Sequence, residues 1–201
     1  MKKKKSNSTA IFTAGKKNFR YLYNDFLPDQ DFREWHEPIQ RSVVWRYRQG
    51  KVANRPLSYD LTDDYSFTRA YWRPMEGPIP TQEGEIMYPL ILKFLNFLDV
   101  DGILRVRLNM DLARSDHFSS GFHTDLGEAF EYKTAIFYFN DCNGFTQFEK
   151  DKAPVKSKAN RLIIFDGRLR HQGVLQTDTS VRYVLNVNYV SSKVPRGGLS
   201  F

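Results

Sequence analysis

Cysteine is almost absent from this 201-residue chain, which contains a single one, Cys142. A lone cysteine cannot form an internal disulfide, and a reducing, cytoplasmic setting fits this composition best. Long apolar runs are also missing, so we expect neither a secretory signal sequence nor a membrane-spanning helix. Histidine is scarce as well, with four in the chain. Any site built from imidazoles therefore has few candidate residues.

The bulk composition is that of a folded protein, with 41% apolar and 15% aromatic residues. The formal net charge is +7, and four of the positive charges lie in the lysine run at positions 2–5. We expect residues 1–10 to be a disordered basic tail and residues 11–201 to form a single domain. A tail that touches nucleic acid or another acidic surface is the alternative use of these lysines, and we consider a nucleic-acid partner the weaker interpretation.

Proline and aromatic residues interrupt the N-terminal half, which predicts short strands and helices there. The segment "GEIMYPLILKFLNFLDV" (84–100) predicts a helix, because Ile86, Leu90, Phe94 and Leu98 recur at about one-turn spacing. A proline is tolerated only near the start of a helix, so we expect Pro89 to lie in the first turn.

Beyond Asp101 the pattern changes to apolar–polar alternation with a period of two. The segment "ILRVRLNMD" places Val106 and Leu108 on one face and Arg107 and Asn109 on the other. Further strand-like runs follow at 132–140, 144–149, 161–166 and 180–190, with the turn-forming cluster "DCNG" between the first two. We therefore predict a mainly β fold with flanking helices, a sandwich or jelly roll whose core spans about 100–191.

The segment "SSGFHTDLGE" (119–128) contains the first candidate site. Residues at i and i+2 of a strand point to the same side, so His123 and Asp125 can aim an imidazole and a carboxylate at one point. His171 follows a turn later in the chain. Two histidines and one carboxylate are the facial set that binds Fe(II) and leaves three positions open. In the alternative interpretation, His123 is a structural histidine that is hydrogen-bonded to Asp125. We interpret His36 as structural and His117 as exposed.

Arg182 is the second candidate, in the alternating strand at 180–190. It shares a face with Val184, Asn186 and Asn188. A charged group that points into a barrel needs an ionic partner, and a dicarboxylate would provide one through a bidentate salt bridge. An arginine on an edge strand in water is the alternative.

Four segments taken together resemble the Fe(II)/2-oxoglutarate-dependent dioxygenases, in particular the prolyl-4-hydroxylase-like branch with its small phage and marine microbial members. They are "HTD" (123–125), "TAIFYFNDCNGFTQFE" (134–149), "ANRLIIFDGRLRHQG" (159–173) and "VRYVLNVNY" (181–189). The resemblance implies a double-stranded β-helix, that is, a jelly roll. It also implies a hydroxylase that uses Fe(II), 2-oxoglutarate and O2, with ascorbate as a candidate reductant, in the cytoplasm of a bacterium or a phage-infected host.

The resemblance also implies roles for individual residues. His123, Asp125 and His171 would ligate the iron, and Arg182 would hold the distal carboxylate of 2-oxoglutarate. Thr134 matches a threonine of the family, and we expect Thr134, Tyr138 and Asn109 to complete the cosubstrate site. Val184 stands where some branches have a clamping serine. Asn188 stands where nucleic-acid demethylases have a second arginine, which argues against base repair.

The substrate stays open at this point, with a peptidyl proline, another protein side chain, a free amino acid and a small metabolite as candidates. Two other functions also stay open: a cupin-like metal protein, and a non-enzymatic jelly-roll module that binds a ligand. The oligomeric state is equally undetermined by the sequence.

Overall fold

The computed structural model describes residues 20–49, 65–80, 84–151 and 153–193; the basic tail expected at 1–10 lies outside these ranges. The elements are β1 (Arg20–Tyr23), α1 (Asp29–Arg33), a π-helix (Pro38–Ser42), β2 (Arg46–Gln49), β3 (Tyr65–Arg73), β4 (Gly77–Pro78), α2 (Gly84–Leu98), β5 (Gly102–Leu112), β6 (Lys133–Tyr138), β7 (Phe145–Phe148), β8 (Val155–Lys156), β9 (Arg161–Asp166), β10 (His171–Val174) and β11 (Val181–Val190). In the described part of the chain, no helix combines the length and the apolar character needed to cross a membrane.

The strands form two antiparallel sheets. The larger sheet has the order β1-β9-β6-β11-β5-β3-β2, with β4 paired to β3, and the smaller sheet has the order β10-β7-β8. The "DCNG" turn does not close a hairpin, because β6 pairs with β9 and β11 while β7 pairs with β8 and β10. The turn instead passes the chain from the larger sheet to the smaller one. This architecture confirms the predicted mainly β, jelly-roll fold.

The outer face of the larger sheet carries the main apolar core and packs against the helices. Phe94 of α2 lies 5.1 Å from Phe137 of β6 between ring centroids, and Trp35 lies 5.2 Å from Phe139. The inner face packs against the smaller sheet through a second cluster that includes Tyr138, Phe148 and Phe165. A polar site on the inner face is therefore enclosed between two sheets.

Helix α2 (Gly84–Leu98) confirms the helix predicted at 84–100, but its buried side and the position of its proline differ from the prediction. Its buried side is formed by Met87, Ile91, Phe94, Leu95 and Leu98, whereas Ile86 is 49% exposed. Pro89 lies inside the helix, beyond the first turn, so the expectation for its position is wrong. Pro89 is exposed, and on the solvent side water can satisfy the carbonyl that loses its N–H partner.

Strands β5 and β11 place a row of polar residues on the inner face. Their register pairs Arg182 with Asp111, Val184 with Asn109, Asn186 with Arg107, and Asn188 with Arg105. Because alternate residues of a strand share a face, all eight side chains belong to one surface of the sheet. This surface forms the floor of the site.

Candidate metal centre and cosubstrate cavity

His123 and His171 are brought together by an isolated β-bridge, although 47 positions of the chain separate them. The backbone N–H of each residue donates to the carbonyl oxygen of the other, and both N–O distances are 2.9 Å. The ring centroids lie 5.0 Å apart. His171 begins β10 as the sequence predicted, while His123 is held by this bridge outside any named strand. Both imidazoles therefore reach the same end of the cavity.

Each of the two rings has one nitrogen bound to a backbone carbonyl. Nδ1 of His123 lies 2.9 Å from the carbonyl oxygen of Gly121, and Nδ1 of His171 lies 3.0 Å from that of Leu169. A carbonyl can only accept, so each Nδ1 carries a proton, and in a neutral ring the lone pair lies on Nε2. Burial lowers the pKa of His171, which favours the neutral ring that a metal requires.

The carboxylate of Asp125 is held from the larger sheet. Its Oδ1 lies 2.6 Å from Nη2 of Arg105, and its Oδ2 accepts hydrogen bonds from the side-chain amides of Asn186 and Asn188, both at 3.0 Å. Burial alone would raise the pKa of Asp125. The positive charge of Arg105, together with neighbouring groups, outweighs burial and holds this pKa well below its ordinary value. Asp125 is therefore an anion at neutral pH.

The donor set fits a divalent metal ion. The ligand atoms of His123, Asp125 and His171 all lie within 4.8 Å of one another, and Nε2 of His123 lies 4.0 Å from Oδ1 of Asp125. Two imidazoles and one carboxylate, on one side of a point, match the facial set known for non-haem Fe(II). Their other hydrogen bonds fix their orientation, as is usual for metal ligands.

Arg182 lies in the same cavity, on β11, and is 3% exposed. Its Nη1 donates to the carbonyl oxygen of Val174 at 3.3 Å and lies 4.0 Å from Oδ2 of Asp111. Its Nε is buried and has no hydrogen-bond partner among the described residues. A buried guanidinium with donors to spare is suited to an anionic ligand.

The other predicted cosubstrate residues occupy different positions relative to the cavity. Asn109 lines it. Thr134 is fully buried, and its hydroxyl accepts a hydrogen bond from the amide of Asn188 at 2.9 Å. Tyr138 is also fully buried, and its hydroxyl donates to Oγ1 of Thr146, a cavity residue, at 2.7 Å. Thr134 is therefore linked to Asp125 through the side chain of Asn188. Tyr138 is linked to the cavity through the side chain of Thr146.

The cavity has a volume of about 100 Å³ and includes residues that the sequence did not single out. They come from four places in the chain: Arg48 on β2, Ser66 and Thr68 on β3, Ser120 in the loop after β5, and Thr146 on β7 of the smaller sheet. Ser66 and Thr68 are two positions apart on β3 and so share a face, but no clear pattern in the sequence marks this strand. His36 and His117 are both exposed, and neither lines the cavity. His36 packs on Phe32, and His117 contacts the carbonyl oxygen of Leu175.

Comparisons with known proteins rest on structure. No family model matches the chain, and no curated protein matches it in sequence. Solved structures do match it. An oxidoreductase of the 2OG-Fe(II) oxygenase family from Burkholderia pseudomallei superposes with a TM-score of 0.60 at 10% identity, covering 85% of this chain and 84% of that one.

Two prolyl hydroxylases also match. The enzyme from Trichoplax adhaerens, in complex with a peptide fragment of the hypoxia inducible factor oxygen degradation domain, has a TM-score of 0.55 at 13% identity and covers 85% of this chain and 82% of that one. The viral collagen prolyl hydroxylase of Paramecium bursaria Chlorella virus-1, in its 2OG complex, has a TM-score of 0.52 at 13% identity, with coverage of 86% and 96%. The chain therefore has the fold of the 2OG-Fe(II) oxygenases, the prolyl hydroxylases among them.

Proposed function

We propose that this chain is an Fe(II)- and 2-oxoglutarate-dependent dioxygenase that hydroxylates its substrate. One observation carries the proposal: a cluster of two histidines and an aspartate lines the same cavity as a buried arginine, Arg182, whose Nε has no hydrogen-bond partner among the described residues. The structures that share this fold include a 2OG-Fe(II) oxygenase family oxidoreductase and a viral collagen prolyl hydroxylase in its 2OG complex, which supports the proposal. The overall reaction is balanced when substrate, 2-oxoglutarate and O2 give hydroxylated substrate, succinate and CO2.

His123, Asp125 and His171 would hold the iron through two Nε2 atoms and one carboxylate oxygen. Bound Fe(II) and 2-oxoglutarate supply the oxidative chemistry, which the protein side chains alone cannot perform. The task of the chain is to orient the ligands and to exclude water. The bridge between the two histidines and the contacts of Asp125 with Arg105 and two asparagines provide that orientation before any metal arrives.

Arg182 would bind the distal carboxylate of 2-oxoglutarate. Thr146 lines the cavity, and its hydroxyl oxygen already accepts a hydrogen bond from the hydroxyl of Tyr138. The proton of Thr146 itself therefore stays available for a ligand. Because the arginine is buried, its attraction for a carboxylate is screened far less than it would be in water.

The substrate candidates are a peptidyl proline and a small molecule. One matched structure contains a peptide and another is named a collagen prolyl hydroxylase, which is the support for a peptide. The binding of a free small molecule is supported by the small volume of the cavity, about 100 Å³, and by the charged and polar residues that line it. A cupin-like protein and a non-enzymatic binding module remain the competing functions.

Succinate formation tests the proposal. The purified chain is incubated in air with Fe(II), 2-oxoglutarate and ascorbate, and succinate is measured by mass spectrometry without added substrate and with cell extract. We expect slow succinate release from the parent and none above background from His171→Ala. His36→Ala is the matched control, since His36 is exposed and far from the cavity, and it should retain the parental rate.

An equal rate in the parent and in His171→Ala would contradict the enzymatic function. A parent that binds Mn(II) but releases no succinate under any of these conditions would favour the cupin-like or binding-module alternatives.

A further inference from the structure

Arg107 faces the cavity from β5 and is not used by the metal or cosubstrate roles assigned above. Its Nε is buried and lacks a hydrogen-bond partner within the described ranges. No carboxylate among the described residues forms an ion pair with it inside 4.0 Å. Arg107 is half-buried, and a guanidinium whose N–H is shielded from water without a partner is costly to keep, so its presence in a cavity indicates an anionic ligand.

The two nearby carboxylates are already committed to other groups. Asp125 contacts Arg105 at 2.6 Å, and Asp111 lies 4.0 Å from Arg182 on the neighbouring strand. Burial and the positive charges of Arg105 and Arg48 lower the pKa of Arg107 to about 10, although the charges of Asp125 and Asp111 act in the opposite direction. Arg107 therefore stays cationic at neutral pH and exerts its charge on the cavity.

The charges that line the cavity do not balance after loading. Three guanidinium groups, those of Arg48, Arg107 and Arg182, face two carboxylates, those of Asp111 and Asp125. Fe(II) and the 2-oxoglutarate dianion cancel each other. A positive charge therefore remains in the loaded cavity, on the side formed by Arg107 and Arg48.

The sheet register locates that charge relative to the candidate metal centre. Arg107 is paired with Asn186, whose amide bonds to Asp125. Arg107 thus lies one strand away from the metal ligands, on the side of the cavity that also carries Asn109, Thr68 and Arg48. Arg182, which would bind the cosubstrate, lies on β11. Thr68 and Arg48 lie on β3 and β2, on the other side of β5.

We propose that the substrate carries an oxyanion, a carboxylate or a phosphate, and that Arg107 binds it with Arg48 beside it. The proposal rests on the proposed function and adds the substrate class. The hydroxyl of Thr68 and the amide of Asn109 supply hydrogen bonds to the same group. A free acid or a phosphorylated small molecule fits this cavity better than a neutral proline inside a peptide chain.

Trifluoroacetate is a suitable probe, and trifluoroacetamide is its neutral match in shape. Each compound is added to the full chain loaded with Mn(II) and 2-oxoglutarate, and the broadening of its 19F line by Mn(II) is measured. Saturating 2-oxoglutarate keeps Arg182 occupied, so the probe reports a second anion site. Methylphosphonate, followed by 31P, is the phosphate arm and distinguishes the two kinds of oxyanion.

We expect strong broadening for at least one anion and about tenfold less for the neutral amide, the ratio expected for a charge-assisted hydrogen bond. Arg107→Gln should abolish the difference between anion and amide. Arg107→Lys, which keeps the charge, should restore part of it and would show that the fold is intact. Arg73→Gln is the control. Arg73 lies on β3 of the same sheet, but its guanidinium is paired with Glu76 at 3.0 Å.

Equal broadening for trifluoroacetate and trifluoroacetamide, or an unchanged anion effect in Arg107→Gln, would overturn the proposal. The absence of broadening for both anions would overturn it too. A chain that binds neither Mn(II) nor 2-oxoglutarate gives a different result, since that outcome removes the proposed function itself.

Discussion

His123 and His171 hold each other by two backbone hydrogen bonds, each 2.9 Å long. His123 lies in the loop that follows β5, and His171 is the first residue of β10. The bridge between them therefore attaches this loop to the smaller sheet at the point where the two imidazoles meet. The third ligand candidate, Asp125, is held instead by β5 and β11 of the larger sheet. The candidate metal centre is thus fixed by both sheets.

Replacement of Arg182 tests the cosubstrate end of the cavity. Arg182→Met should raise the apparent KM for 2-oxoglutarate by about 10- to 100-fold, because a charge-assisted hydrogen bond contributes about 1.5–3 kcal/mol. Mn(II) affinity, measured by calorimetry without cosubstrate, should change little. Arg182→Lys keeps the charge and should recover part of the loss. Identical KM values in Arg182→Met and the parent would exclude the assigned role.

Thr134→Val tests whether Thr134 acts through Asn188. The substitution preserves shape but removes the hydroxyl that accepts from the amide of Asn188, which also donates to Asp125. Since groups that orient metal ligands typically contribute 10- to 100-fold in affinity, we expect Mn(II) to bind roughly tenfold more weakly. Thr134→Ser restores an acceptor and should recover the affinity. If instead Thr134→Val changes only the KM for 2-oxoglutarate, Thr134 contacts the cosubstrate directly.

Gly167 is a position where a side chain cannot be accommodated. A Cβ there would overlap the ring of Tyr132, whose hydroxyl accepts from the backbone N–H of Leu126, next to Asp125. Gly167→Ala should lower the free energy of unfolding by about 1–3 kcal/mol, the usual cost of overpacking. Gly173→Ala is the control, because the nearest atom to a Cβ at that position is 4.0 Å away. Equal denaturation midpoints for the two variants would contradict this account.

The aromatic core behind the sheet is the basis of a stability prediction. Phe94 is 1% exposed and contacts Phe137 and Trp35. Phe94→Ala should cost about 3–5 kcal/mol in urea denaturation, since it removes a large buried ring and leaves a cavity. Leu92, on the same helix, is 56% exposed, and Leu92→Ala should stay within about 0.5 kcal/mol of the parent. A similar loss in both variants would mean that α2 does not pack on the sheet as described.

Local patterns in the sequence predicted the strands well. The run at 161–166 is β9 to the residue, and the run at 180–190 contains β11 (Val181–Val190). The run at 180–190 alternates with a period of two, and the run at 161–166 is short and almost continuously apolar; in both segments local preference and burial agree. The helix at 84–100 was also predicted from a local pattern, the one-turn spacing of its apolar residues. How far Pro89 lies from the start of this helix depended instead on which side of the helix faces water.

The site was less accessible from sequence because register is a long-range property. Thr134 and Tyr138 both lie on β6, yet their relation to the cavity depends on hydrogen bonds with Asn188 and Thr146 from elsewhere in the chain. Arg48, Ser66 and Thr68 lie in the proline-rich half, where no clear alternation marked them. Their membership of the cavity follows from the pairing of β2 and β3 with β5, which no local pattern reveals.

The cavity draws its ligand-holding groups and its outer wall from separate stretches of the chain. The metal-ligand candidates and Arg182 all lie between positions 123 and 182, whereas Arg48, Ser66 and Thr68 lie between positions 48 and 68. Evolution, or a protein engineer, can therefore rewrite residues on β2 and β3 to accept a new molecule while the reactive centre stays untouched. Such a division makes the chain a promising scaffold for altered selectivity.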